Sequence, residues 1–420
     1  MSAPSRRPSY AAVLRVPHAR RTFLAALLGR LSYGTAPLAL MLAVTRATGS
    51  YAVAGVVMAL FGAFGVLLSP YRAALVDRYG PRRALTPMAL LYAGLLAALA
   101  MVSRQPGASA VVLGATAAVT GACAPPLGPA MRTVWGELVG DRRLLQRAYS
   151  LDGVAEELLY VTGPLLVGVV IGVASPTVGV LLGALLVSAG TLAFVGSPAV
   201  AAVRPAGRPK SGPSTAGSLP RGPLVQPVVV VAGLGLSLAA LDLLVVAFAA
   251  ARDQGDDTVA WVLAALAAGS AVGGLLNGAV DWRLPARLRL PLLAACLGLT
   301  VAAAGLAPGT GTLALAAALT GLFVAPTLIT AYLIADEAAP PGFRTRAGAW
   351  VNTAFNAGSS TGAATAGLLV ERLPLGVCFA AAGTVALAAA LVAALAGTRR
   401  GGRTPVRTTA SPSSTEVRLL

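Results

Sequence analysis

The stretch SPYRAALVDRYGPRRAL, residues 69–85, places four arginines and one aspartate between two long apolar runs. The chain around it is very apolar: 56% of its 420 residues are hydrophobic, 11% are charged, and the mean hydropathy is +0.78. Ordinary water-soluble domains carry about twice that share of charged residues. A short charged segment in such a chain is typical of a loop that joins two membrane-spanning helices.

Apolar stretches of membrane-spanning length recur on both sides of this loop. Twelve of them reach the roughly 20 residues that cross the hydrocarbon core as a helix. Helices are expected because lipid offers no partners to backbone amides, and because the stretches lack the alternation of barrel strands. The sequence therefore predicts an all-α integral membrane protein with 12 transmembrane helices, the fourth over residues 108–130, the fifth over 150–174 and the eleventh over 347–370.

The net charge of +17 is distributed by membrane side and is not gathered on one soluble face, so the pattern excludes a nucleic-acid-binding surface. Of 32 Lys and Arg residues, all but five lie in the tails or in loops on one side. The exceptions are Arg30, within the first span, and Arg46, Arg104, Arg252 and Arg372 on the opposite side. By the positive-inside rule, both termini and the 69–85 loop are expected in the cytoplasm.

The spans divide six and six around a segment rich in Pro, Gly and Ser, which is typical of a flexible linker. The predicted parts are a basic N-terminal tail (1–21), a six-helix bundle (22–196), a cytoplasmic linker (197–227), a second six-helix bundle (228–396) and a basic C-terminal tail (397–420).

The two bundles share a sequence repeat. TGACAPPLGPA in the fourth span aligns with TGLFVAPTLITA in the tenth, placing Gly121 and Pro126 over Gly321 and Pro326 at an offset of 200 residues. The fifth and eleventh spans then match at an offset of 199. This repetition predicts two homologous halves with a substrate site near the membrane midplane between them.

The segment ALVDRYGPRRAL, residues 74–85, resembles the loop between helices two and three of the major facilitator superfamily, whose usual pattern is Gly-x-Leu-x-Asp-Arg-x-Gly-Arg-Arg. Six residues match the loop of that superfamily and two depart from it; the matches are Leu75, Asp77, Arg78, Gly80, Arg82 and Leu85, and the departures are Ala73 and Pro81. The resemblance implies the fold of that superfamily, and a conformational latch loop formed by Asp77, Arg78, Gly80 and Arg82. A carboxylate there could accept hydrogen bonds from a guanidinium or from helix N-terminal amides. The alternative is a loop that serves membrane topology alone.

The fifth span contains YVTGPLLVG, residues 160–168, which resembles a motif of the bacterial 12-span exporters of this superfamily through Gly163, Pro164 and Gly168. Proline removes a helix hydrogen bond and glycine permits close backbone approach, so the segment predicts either a helix bend or tight packing. Such exporters commonly carry an arginine in the fourth helix, where this chain has Ala117.

Ionisable residues within the spans are costly in lipid and are therefore candidate functional residues. Arg30 lies about 12 Å deep at 1.5 Å per residue, a depth comparable to that of Glu156 and Glu157 in the fifth span. We expect Arg30 to pair with Glu156 or Glu157 in a proton switch, because dehydration favours a protonated carboxyl and a nearby arginine opposes it. The alternatives are a static salt bridge, and a helix face on which Asp152 and Glu156 meet interfacial water.

Further candidates lie in the second half of the chain. Asp242 is the only charged residue of the seventh span and could bind a proton or a cationic substrate, or be satisfied by hydroxyls of a neighbouring helix. Asn352 and Asn356 begin a polar stripe in the eleventh span, suited either to substrate contact or to interhelical hydrogen bonds. Tyr33 and Tyr160 are the aromatic residues expected to line a cavity.

Together these features predict a secondary active transporter, and no enzyme, that exports small amphipathic or drug-like molecules by proton antiport. No cofactor or metal is expected, because Pro209 disrupts a phosphate loop at the only lysine and the three cysteines are dispersed. The expected partners are the bilayer, the substrate and protons, with a monomer in a bacterial plasma membrane. The alternatives are nutrient uptake by proton symport or uniport, and a non-transporting sensor or assembly subunit.

Overall fold

The computed structural model describes residues 9–105, 107–203, 221–340 and 342–401. Within these ranges every regular element is a helix. The helices are α1 Tyr10–Arg15, α2 Ala19–Thr48, α3 Tyr51–Leu67, α4 Ser69–Tyr79, α5 Pro81–Val102, α6 Ala110–Cys123, α7 Leu127–Leu138, α8 Arg142–Val173, α9 Pro176–Val195, α10 Pro198–Ala202, α11 Arg221–Ala250, α12 Asp256–Ala279, α13 Ala286–Ala304, α14 Thr310–Ala338, α15 Arg344–Val370 and α16 Leu375–Gly401.

These helices supply the twelve predicted spans. Across the described residues, ten spans are long and apolar enough to cross a membrane, α6 and α7 together forming one of them. The pair α3 and α4, bent by 42°, makes an eleventh span. The twelfth is α15, whose 27 residues include the polar stripe that lowers its hydropathy. The predicted all-α fold with twelve transmembrane helices is confirmed.

The fourth and fifth spans extend further than predicted. The fourth breaks at residues 124–126, where Pro125 and Pro126 lack the amides that a continuous helix needs, and then resumes as α7 to Leu138. The fifth begins at Arg142, where the Asp141 side chain accepts the Leu144 amide and caps the helix. Residues assigned from the sequence to the intervening loop are therefore helical.

The two halves, α2–α9 and α11–α16, use their repeated glycines for the same packing. A methyl group on Gly121 would lie 2.0 Å from the Phe61 carbonyl oxygen, so α6 and α3 touch backbone to backbone. A methyl group on Gly321 would lie 2.1 Å from the Leu266 carbonyl oxygen, which joins α14 and α12 in the same way. The repeated glycine therefore makes the same kind of close helix contact in each half.

The linker between the halves is shorter than the sequence indicated. Residues 198–202 form α10, and α11 begins at Arg221 because its first turns are anchored: Leu224 is buried, and the Gln226 amide donates to the carbonyls of Arg287 and Ala393. The rest of the predicted linker, 204–220, lies outside the described residues, as do 1–8 and 402–420 of the two tails.

Candidate functional site

A cavity of about 670 Å³ lies between the two halves. One wall comes from α7 and α8 of the first half, and the other comes from α11, α12, α14 and α15 of the second. A volume of this order accommodates a drug-sized molecule. Six of the predicted site residues line this central cavity: Glu156, Glu157, Tyr160, Asp242, Asn352 and Asn356.

The wall formed by the second half carries one carboxylate and a row of amides. Asp242, on α11, is exposed to the cavity, and its carboxylate has no hydrogen bond or salt bridge among the residues the structure describes. On α15, the Asn356 amide donates to the Asn352 carbonyl oxygen at 2.8 Å, so part of this polar stripe is satisfied within its own helix.

The wall formed by the first half carries two adjacent carboxylates with different partners. Glu157 accepts a hydrogen bond of 2.8 Å from the Ser270 hydroxyl, which belongs to α12 in the other half. Glu156 accepts from the guanidinium of Arg132 on α7. The two halves are therefore joined at the cavity by a hydrogen bond that Glu157 makes.

A buried ion cluster lies behind Glu156. Asp152 is fully buried and is held by two arginines: Arg30 Nη1 lies 2.9 Å from Asp152 Oδ1, and Arg132 Nε lies 3.2 Å from Asp152 Oδ2. The Arg132 guanidinium also stacks on Tyr332 of the second half, with its central carbon 3.7 Å from the ring centroid. Two cations and two carboxylates thus balance one another in this cluster.

The cluster corrects the predicted pairing of Arg30. Its salt bridge goes to Asp152, one helical turn before Glu156, and the Glu156 carboxylate is paired with Arg132 instead. The alternative in which Asp152 faces interfacial water is wrong, since this side chain is fully buried. Tyr33 is likewise set back from the cavity lining, and its hydroxyl donates to the Pro125 carbonyl at the break in the fourth span.

The latch loop joins the two halves at one face of the protein. The Asp77 carboxylate accepts the backbone amides of Thr345 and Arg346, at 3.1 and 2.8 Å, in the first turn of α15. Gly80 turns the chain between α4 and α5 with φ at +83°, a conformation that favours glycine.

The two latch-loop arginines, Arg78 and Arg82, are exposed, and Arg78 lies over the ring of Tyr79. In this conformation, Asp77 makes the contact with the other half.

Further ion pairs cross between the halves at the same face, here called the termini face because both ends of the twelve-span bundle lie on it. Arg344 pairs with Glu137 at 3.1 Å, joining α15 to α7. Arg142 pairs with Glu337 at 2.7 Å, joining α8 to α14. The central cavity is therefore separated from this face by contacts between the halves.

The predicted helix-bend motif packs closely at its first residue. A methyl group on Gly163 would lie 2.5 Å from the carbonyl carbon of Gly34, so α8 and α2 are in backbone contact there. α8 continues through Pro164 as one helix, and a methyl group on Gly168 would meet no atom of another helix within 4 Å among the described residues. Tight packing accounts for Gly163, whereas the bend stays a prediction.

The sequence reasoning missed Arg132, which was assigned to a loop, and Tyr332 and Ser270, which were not singled out. The signal for Arg132 was available: Val134, Trp135 and Leu138 continue an apolar helical pattern beyond it. Contacts between distant helices, such as that of Tyr332, leave no comparable pattern in the sequence.

Twelve spanning helices in two repeated halves around a central cavity define a membrane transporter. The sequence matches the family model of the Major Facilitator Superfamily over residues 22–250 and again over 228–418. The chain therefore belongs to this superfamily. No curated protein sequence matches it.

Solved structures share the fold. A bacterial homologue of the iron transporter ferroportin, crystallised in an outward-facing state, is similar with a TM-score of 0.70 and 16% identity, covering 91% of this chain and 99% of that one. The human organic anion transporter MFSD10 (TETRAN) is similar with a TM-score of 0.68 and 16% identity, covering 92% and 100%. Identity at this level establishes the fold alone.

Proposed function

We propose that this protein is a secondary active transporter that exports small amphipathic or drug-like molecules in exchange for protons. The proposal rests on one observation: the central cavity combines apolar walls with two carboxylates, Glu157 and Asp242, that no arginine balances among the described residues. Ionised carboxylates are costly in such surroundings, so either a proton or a cation bound there is stabilised.

Alternating access supplies the transport step. Contacts at the termini face, including Asp77 with the first turn of α15, hold the halves together there and favour opening on the opposite face. Opening to the termini face requires these contacts to break, and the energy gained from binding in the cavity then selects between the two states.

Glu157 is suited to carry the proton because it also joins the halves. Its hydrogen bond with Ser270 links α8 to α12. A change in its protonation alters the strength of this link, since a hydrogen bond to an ionised acceptor is about twice as strong as a neutral one. Proton binding is thereby coupled to the contact between the halves.

Two features of the sequence support the proposed location and direction of transport. The arginines concentrated in the tails and loops of the termini face orient that face to the cytoplasm, within a bacterial plasma membrane. The partial Gly-Pro motif at Gly163 and Pro164 favours export over uptake.

The test uses purified protein in liposomes with an acidic lumen that contains a pH indicator. Amphipathic compounds, sugars and amino acids are added outside, and the variants are wild type and Glu157→Gln. Antiport predicts that a transported amphipathic compound makes the lumen more alkaline, and that Glu157→Gln loses this response while protein-free liposomes never show it.

Other outcomes distinguish the alternatives. Acidification of the lumen on addition of sugars or amino acids identifies proton symport, and substrate equilibration without a pH change identifies uniport. Transport of none of the compounds would contradict the proposed export function and would favour the alternative of a non-transporting sensor or assembly subunit.

A further inference from the structure

The charges around the central cavity do not cancel. Arg30 forms a salt bridge with Asp152, and Arg132 forms salt bridges with both Asp152 and Glu156, so two cations neutralise two carboxylates. Asp242 and Glu157 remain, one on each half, and the cavity lining contains no further arginine or lysine among the described residues. The interior therefore presents a net negative potential to whatever enters it.

The two remaining carboxylates differ in what they contact. Glu157 accepts the Ser270 hydroxyl at 2.8 Å, whereas the Asp242 carboxylate is without a hydrogen-bond or ionic partner in the part of the chain that the structure describes. A carboxylate that faces a cavity inside a membrane protein with no internal partner is strongly stabilised by an incoming positive charge.

The cavity that Asp242 faces is lined mainly by apolar and aromatic side chains. Leu238 lies one turn earlier on α11, and Leu328 of α14 and Phe355 of α15 line the same cavity. Aromatic faces attract organic cations, and aliphatic side chains favour a ligand with a large apolar body.

We infer that Asp242 is the anchor for the charged centre of a lipophilic organic cation, so that this transporter selects cations over anions of the same shape. The inference rests on the proposed transport function and names its substrate class. Glu157, on the opposite wall, is left to couple the proton, and the two tasks are divided between the two halves of the protein.

The test measures equilibrium binding to the purified full-length protein in lipid nanodiscs, without a pH gradient. The probes are tetraphenylphosphonium and tetraphenylborate, which have nearly the same size and shape and opposite charge. The variants are Asp242→Asn, Asp242→Glu and, as a matched control, Asp257→Asn, which removes an exposed carboxylate near the start of α12 outside the cavity lining. Empty nanodiscs give the binding due to lipid.

Wild type is expected to bind tetraphenylphosphonium saturably and tetraphenylborate no more than empty nanodiscs do. Asp242→Asn is expected to weaken cation binding by about tenfold to a hundredfold, the range for losing an interaction with a charged group. Asp242→Glu should restore part of it, and Asp257→Asn should match wild type.

Unchanged cation binding in Asp242→Asn overturns the inference, as does an absence of saturable cation binding to wild type or a preference for tetraphenylborate. These failures are separate from failure of the proposed function. Proton flux with neutral compounds in liposomes would still establish an antiporter even if the cation did not bind.

Discussion

The contact of Asp77 with α15 leads to a quantitative prediction for Asp77→Asn. The carboxylate accepts the amides of Thr345 and Arg346, which have no acceptor within their own helix because they lie in its first turn. Hydrogen bonds to a charged group contribute about 1.5–3 kcal/mol each, and asparagine keeps one neutral acceptor worth about 1 kcal/mol. The substitution should therefore lower the stability of the state closed at the termini face by at least about 2 kcal/mol.

Hydrogen exchange of the donor amides measures this loss directly. Thr345 is almost fully buried, so exchange of its amide requires the contact to open. A loss of about 2 kcal/mol raises the opening equilibrium about 30-fold, since 1.4 kcal/mol corresponds to a factor of ten. Peptides covering residues 343–349 should exchange faster by about this factor in Asp77→Asn.

The matched control is Arg78→Gln, which alters an exposed residue of the same loop and should leave the exchange of these peptides unchanged. Exchange in Asp77→Asn within about twofold of wild type would show that the two amides are protected by something other than the carboxylate, and would refute the reasoning.

Three other substitutions give separable outcomes. Gly121→Ala places a methyl group 2.0 Å from a carbonyl oxygen, and should lower the thermal unfolding temperature by the equivalent of about 3 kcal/mol or more. The control is Gly94→Ala, whose methyl group would lie in open space and should not lower this temperature. Arg132→Met removes the partner that Asp152 and Glu156 share, and should destabilise the protein by about 3–5 kcal/mol in the same melting assay. A wild-type melting temperature would contradict the importance of these ion pairs for stability. Arg142→Gln breaks an ion pair whose side chains are 65% and 42% exposed, and should change stability by less than about 1 kcal/mol.

Much of the fold could be predicted because its determinants are local. Apolar stretches of spanning length indicate the individual helices, and the offset of 200 residues between Gly121 and Gly321 indicates that the second half repeats the first. Helix ends were less predictable. The fourth span passes Pro126 and resumes, because tertiary packing buries Trp135 and stabilises a helix that local chemistry alone would end.

The site could be predicted as a set of residues but not as a set of contacts. Glu156, Glu157 and Asp242 were identifiable because charge within a span is rare, and the structure places all three on one cavity. The choice of Asp152 as the partner of Arg30 depends on the axial register of two helices 122 positions apart in the chain. Register of that kind is set by packing across the bundle and has no periodic signal in either helix.

The polar stripe of α15 has a consequence for how the chain enters the membrane. α15 does not reach the apolarity of the other spans, so on its own it would partition poorly into lipid. Its glycines press against α11, where a methyl group on Gly358 would lie 2.0 Å from the Ala232 carbonyl oxygen and one on Gly362 would lie 2.1 Å from that of Leu236. During synthesis α11 is made first, and α15 should depend on packing against it to stay in the membrane. A ribosome product truncated before α16 should therefore retain α15 in the bilayer only when α11 is present.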